Sequence, residues 1–190
     1  MGDTQMMPEH YRINTKFLIR DYNKLFPLPY YFHDMVIKHG TYRVADIGAG
    51  PVCKLGGKFA GSNIIIHASD VLANVYNEFT ATYGQELLIP IEYQDMENLT
   101  YPDEFFDVVH CVNAIDHTKN ARKAIEEMKR VCKKGGWIYL RHSPYQKKYL
   151  RGDHYWDATM EGFDNGRELV KLDGFKTGTD GFQIISLMQK

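Results

Sequence analysis

The sequence predicts an α/β fold, a mostly parallel sheet with helices on its faces. Three observations predict it. From about residue 41 onward, strand-like runs alternate with runs of helical spacing. The first strand-like run ends on Gly48-Ala49-Gly50, and the second ends on an acid, Asp70. Strands that alternate with helices build βαβ units and place parallel strands side by side. In such sheets a ligand sits outside the carboxyl ends of the strands. Function is therefore sought just after Ile47, Ser69, Gln94, Val112 and Leu140.

The elements follow in order. Tyr42 to Ile47 reads as a short buried strand, and Asn63 to Ser69, rich in β-branched residues, as a second. Val71 to about Leu88 has helical spacing, with Leu72, Val75, Tyr76, Phe79 and Tyr83 on one side. Ile91 to Gln94 is a short third strand and Phe105 to Val112 a fourth. Thr118 to Cys132 is a helix with an apolar stripe of Ala121, Ala124, Ile125, Met128 and Cys132. Lys133-Lys134-Gly135-Gly136 ends it with late cations and glycines. Trp137 to Leu140 is a fifth strand. Arg167 to Leu172 and Phe182 to Met188 are two more, separated by Gly-rich turns. Residues 1–40 carry Tyr11, Phe17, Tyr22, Phe26, Tyr30, Tyr31 and Phe32 around a Pro27-Leu28-Pro29 break. They read as a helical segment of two short helices, packed on the sheet or over its ligand edge. Residues 41–190 form the core.

Composition narrows the class. A chain of 190 residues is one domain by length, and 44% hydrophobic with 25% charged is ordinary globular usage. A net charge of −1 argues against a strongly basic nucleic-acid binder. No apolar run approaches a membrane span, and the first twenty residues show no apolar core of a signal peptide. Cys53, Cys111 and Cys132 are odd in number and unclustered. They fit neither a disulfide framework nor a Cys-x-x-Cys metal site, no metal ligand set is predicted, and they suit a reducing cytoplasm.

The strongest local signal is Val44-Ala45-Asp46-Ile47-Gly48-Ala49-Gly50-Pro51. Glycines at 48 and 50 remove Cβ atoms that would block a ligand from the turn. A tight turn that merely needs small residues would look the same. The third glycine of a dinucleotide fingerprint is missing, since position 53 is Cys, and a P-loop fails at Val52 and Phe59. Asp70 lies twenty residues after Gly50, where a carboxylate can accept both ribose hydroxyls of a nucleoside. It can also serve as an N-cap for the helix beginning at Val71. Asp95-Met96 follow the third strand, where an adenine edge would lie.

Taken together, the acidic-glycine turn, the acid ending the second strand, Asp95-Met96, Phe106-Asp107-Val108-Val109 and Lys134-Gly135-Gly136 resemble the class I S-adenosylmethionine-dependent methyltransferases. The nearest branch is the broad small-molecule one often called type 11. The resemblance covers about residues 41 to 142. It implies a Rossmann-like sheet of seven strands with one antiparallel strand near the C-terminus, and S-adenosyl-L-methionine as cofactor, leaving S-adenosyl-L-homocysteine. By position it implies that Asp46, Gly48, Ala49, Gly50 and Pro51 line the methionine part. Asp70, with Val71 beside it, would hold the ribose, Asp95 and Met96 the adenine, and Asn113 the floor beneath the methionine. The family's long first helix has no counterpart after Pro51, where residues 51–61 hold three glycines, and a loop or single turn is expected there.

Methyl transfer aligns donor and acceptor and often removes a proton from the acceptor. Candidate bases on the ligand edge are His117 and His142, ranked first because short loops after strands are well fixed. His154 ranks next, in a loop bounded by Gly152. Asp116 would orient a histidine or bind a metal. A lone histidine is more often structural. The Asn-Pro-Pro-Tyr motif of amino-methylating nucleic-acid enzymes is absent, as is a tyrosine followed four residues later by lysine. Neither His-Glu-x-x-His nor Gly-x-Ser-x-Gly occurs. Asn113-Ala114-Ile115-Asp116-His117, followed by His154-Tyr155-Trp156, resembles small methyltransferases of glycan biosynthesis. The expected acceptor is thus a sugar hydroxyl of a glycan or glycan precursor, with Tyr155 and Trp156 either stacking on it or covering the core. Alternatives are an O- or N-methyltransferase of another small molecule or lipid intermediate, and an inactive cofactor-binding module of a larger multifunctional enzyme.

Overall fold

The computed structural model describes residues 40–55, 62–82, 84, 86–145 and 154–190. The expected N-terminal helical segment lies outside the described residues, apart from Gly40. The main sheet holds β1 (Gly40–Ile47), β2 (Ser62–Asp70), β3 (Ile91–Tyr93), β4 (Phe106–Val112), β5 (Cys132–His142), β9 (Lys176–Asp180) and β10 (Gln183–Gln189). Their order is β3-β2-β1-β4-β5-β10-β9. β1 pairs in parallel with β2 (Val44 opposite Ile66) and with β4 (Ala45 opposite Val109). β10 is antiparallel to both β5 and β9, so it alone is reversed. This is the seven-stranded, mostly parallel sheet the sequence predicted. The chain leaves β1 toward one edge and returns past it at β4, so the ends of β1 and β4 flank a crevice at the switch in strand order.

Helices cover both faces. Helix α2 (Ala121–Val131) buries Ala121, Ala124, Ile125, Met128 and Val131, and the Asn120 side chain caps it by accepting from the Lys123 N–H at 3.1 Å. Helix α1 (Ala73–Thr82) buries Ala73, Tyr76 and Phe79 on the other face. It is shorter than expected, and Leu72 and Val75 from the predicted stripe are exposed. Gly84, in left-handed backbone at φ 61° just beyond the helix, donates to the Ala81 carbonyl at 3.1 Å.

Two further expectations change. Lys133 to Gly136 is not a turn between helix and strand. β5 starts at Cys132, directly after α2, and the pairing with β4 jumps from Cys132 opposite Phe106 to Trp137 opposite Val108. The glycines accommodate this bulge, with Gly135 at φ 76° and no room for a Cβ on Gly136 against the Asp107 carbonyl. The predicted strand at 167–172 is β8 (Leu169–Lys171), and it does not join the main sheet. It forms a small antiparallel sheet with β6 (Asp157–Ala158) and β7 (Gly162–Asp164). Trp156, Ala158, Phe163 and Val170 pack into the same core cluster as α2. The sixth strand of the main sheet is β9, Lys-Thr-Gly-Thr-Asp, a polar edge strand with no hydrophobic signal to reveal it. As expected, residues 51–55 form a turn and bend rather than a helix, while 56–61 lie outside the described residues.

Candidate active site at the carboxyl edge of the sheet

β1 ends in a turn where Gly48 and Gly50 both adopt left-handed backbone, at φ 72° and 71°. The Gly48 and Ala49 N–H groups donate to the Ser69 carbonyl at the end of β2. The Asp70 carboxylate accepts from the Gly50 N–H at 2.9 Å and from the Leu72 N–H at 2.8 Å. One acid thus ties the glycine turn to the approach to α1. Burial raises the Asp70 carboxyl above its usual range, and these two N–H groups oppose the shift. The two glycines serve different ends. A Cβ on Gly48 would lie 2.3 Å from the Ala114 Cβ and 3.2 Å from the Met96 Cε. Among the described residues, a Cβ on Gly50 would meet nothing within 4 Å. The loops after β1, β3 and β4 therefore converge at Gly48, and no described atom lies against Gly50.

Asp46 lies one layer deeper. It is buried, with Oδ1 2.8 Å from His110 Nδ1 and Oδ2 accepting from the Cys53 thiol at 3.3 Å. The His110 ring stacks on Tyr139 at 5.3 Å. Burial, with the Asp46 charge, pushes the Cys53 thiol well up, which keeps it a protonated donor. The sequence reading missed His110 and Cys53 as partners. The available signal was a histidine and an acid at facing positions of two neighbouring buried strands. Asp95 is exposed, and its side chain accepts from the Glu97 N–H at 2.9 Å, while Met96 is half-buried. Asn113, at φ 48°, donates its N–H to the Arg141 carbonyl and accepts from the Ser143 N–H at 2.9 Å, joining the ends of β4 and β5. Val71 is exposed beside Asp70.

After β4, Ile115–His117 form a single 3-10 turn. Asp116 is only 2% exposed. Its Oδ2 lies 2.6 Å from His154 Nδ1 and 3.8 Å from His117 Nε2. The rings of His117 and His154 are 4.3 Å apart. Backbone contacts bring His154 there. The Tyr155 and Trp156 N–H groups donate to the Asp116 carbonyl at 2.7 and 3.3 Å, and Trp156 Nε1 donates to the Thr118 carbonyl at 2.8 Å. The glycine-bounded loop is thus pinned where it reaches the edge.

His142 is enclosed rather than open to the edge. It is buried, its Nε2 accepts from the Ala114 and Ile115 N–H groups at 3.4 and 3.3 Å, and its ring meets Phe163 edge-on. Burial pushes its imidazole down to about 4, so it is a neutral acceptor that shapes the turn carrying Asp116. The structure places the three histidines differently. His154 holds the carboxylate, His117 is half-exposed beside it, and His142 supports from below. Trp156, 2% exposed, is core cover rather than a stacking surface, whereas Tyr155 is exposed.

The family model described as a methyltransferase domain matches residues 45–140. The chain belongs to that family. The uncharacterized methyltransferase YcgJ of Bacillus subtilis (strain 168) is 29% identical over 128 residues, covering 65% of this chain and 46% of that protein. The ubiquinone/menaquinone biosynthesis C-methyltransferase UbiE of Cupriavidus taiwanensis is 28% identical over 107 residues, covering 52% and 42%. The chain therefore spans about half the length of these curated relatives. In fold it is similar to a SAM-dependent methyltransferase from Aquifex aeolicus, with a TM-score of 0.55 at 15% identity over 96% of this chain and 98% of that one.

The cofactor of this methyltransferase domain is S-adenosylmethionine. The chain's own residues fit it. Gly50 leaves its backbone open to a ligand, with no described atom within 4 Å of where a Cβ would lie. The Asp70 carboxylate offers about four lone-pair sites, of which the two backbone N–H groups leave acceptor capacity for a ribose. Asp46 is placed to support the turn from within, through His110 and Cys53, rather than at its surface. No described helix is long and apolar enough to cross a membrane.

Proposed function

We propose that the protein transfers a methyl group from S-adenosylmethionine to a hydroxyl oxygen of a small molecule, a sugar hydroxyl of a glycan or glycan precursor. The observation that carries this reading is the Asp116–His154 pair at the edge of the sheet. A neutral hydroxyl is a poor nucleophile, and a histidine held by a buried carboxylate is suited to take its proton. His154 would accept that proton at Nε2, while Asp116 holds Nδ1–H and balances the imidazolium. The bound cofactor supplies an activated methyl group, so the protein's task is alignment and proton removal. Tyr155 is the exposed aromatic beside the pair that can stack on a sugar face.

A second reading has its own support. Curated relatives carry the name of a quinone-biosynthesis C-methyltransferase. The same base would remove a phenolic proton and make the neighbouring ring carbon nucleophilic. Single-turnover transfer of labelled methyl groups to a panel of sugars, glycan precursors and hydroxylated aromatics separates the two. The first reading expects a methyl ether on a sugar, and His154→Ala should cut turnover by about 10²–10⁴-fold with cofactor affinity unchanged. C-methylated aromatic product would establish the second reading. Absence of transfer to every acceptor, with cofactor bound, would leave a cofactor-binding module.

A further inference from the structure

The pair above involves only one oxygen of Asp116. Among the described residues, Oδ1 has no hydrogen-bond partner, although the residue is 2% exposed. An unpaired oxygen on a buried carboxylate is costly, the more so when the group is charged. Around it stand two imidazoles. Asp116, His117 and His154 each offer one ligand atom, and these atoms lie within 4.8 Å of one another. Donors bound at about 2.0–2.2 Å can be no more than roughly 4.4 Å apart. A shift of a few tenths of an ångström by half-exposed His117 brings the set within that limit.

We propose that Asp116, His117 and His154 form a binding site for one divalent first-row transition-metal ion. Two imidazole nitrogens and one carboxylate suit zinc, cobalt, nickel, manganese or iron better than magnesium or calcium, which prefer oxygen. The protein supplies three ligands on one side, leaving the other positions open. The set is also held in advance. The backbone carbonyl of Asp116 accepts from Tyr155 and Trp156, and the indole of Trp156 is anchored on Thr118, so the two ligand segments are already joined. The ion takes the place of the proton shared by Asp116 and His154. The imidazole stays neutral by carrying its proton on Nε2 instead, so with the ion bound His154 is a ligand and no longer the base, and no oxidant or reductant is required. An acceptor hydroxyl entering an open position would be acidified by the ion. That consequence rests on the proposed transfer to a hydroxyl, whereas binding of the ion does not.

Cobalt(II) is the probe, because its visible d–d absorption reports nitrogen and oxygen ligation directly. The purified full chain, first stripped with chelator, is titrated without cofactor or acceptor. The expected result is one cobalt ion per chain. His117→Ala and Asp116→Asn should each weaken binding at least tenfold, and His67→Ala, on β2 beside Glu92, should not. Should Asp116→Asn fail to fold, His117→Ala decides, since that side chain is half-exposed. Wild-type protein that takes up no cobalt, or His117→Ala that binds as tightly as wild type, overturns the site. Neither result touches the methyl-transfer reading, which is scored by product.

Discussion

Replacing His142 by Gln separates a structural histidine from a catalytic one. In the native chain the imidazole is pushed down to about 4 from 6.5, by burial above all. Between pH 6.5 and about 4 the unfolded chain takes up a proton that the native chain refuses. The native state is therefore progressively destabilised as pH falls through that window, and the full contribution is present above pH 6.5. The 2.5-unit difference at 1.36 kcal/mol per unit is about 3 kcal/mol in all. Gln keeps an oxygen that can accept from Ala114 and Ile115 but does not titrate. Urea unfolding at a series of pH values from 7.5 to 4 measures both proteins. The wild type should lose about 3 kcal/mol more than the variant across the window. At pH 7.5 methyl transfer by the variant should stay within a few-fold of wild type. Equal acid slopes would refute the buried, neutral assignment. A turnover loss of about 10²-fold with unchanged cofactor affinity would return His142 to the role of base.

The two glycines of the turn should respond differently. Gly48→Ala meets the Ala114 Cβ and should destabilise the fold by about 2–4 kcal/mol from left-handed strain and overpacking, read as a lower melting temperature. Gly50→Ala should cost only about 1–2 kcal/mol of strain, yet weaken S-adenosylhomocysteine binding in calorimetry; wild-type affinity would mean that the cofactor does not pass there. Asp70→Asn should lose at least tenfold in that affinity and about 1–3 kcal/mol of stability, because an amide cannot accept from both Gly50 and Leu72. Loss of stability with affinity intact would confine Asp70 to holding the turn.

Local pattern and chain order were enough to determine the alternation of strands and helices, the glycine turn, Asp70 at the end of β2 and the family that these features mark. Each of these is written in consecutive residues: apolar period, a missing Cβ, an acid at a strand end. What lies far apart in sequence was decided only by the tertiary structure. Asp116 and His154 are 38 residues apart, and backbone bonds from Tyr155 and Trp156 to the Asp116 carbonyl bring them together. His142 looks like an edge histidine by position, but Phe163 from the small sheet and the turn after β4 enclose it. Asp46 reads as a ligand-lining acid in the sequence, and only the fold shows that β4 places His110 beside it. β9 carries no hydrophobic signature, because an edge strand that, among the described residues, pairs only with β10 has little side-chain surface to bury. Periodicity reports which face of an element is buried. It carries no information about which distant side chain completes a polar pair, and the chemistry of this site resides in those pairs.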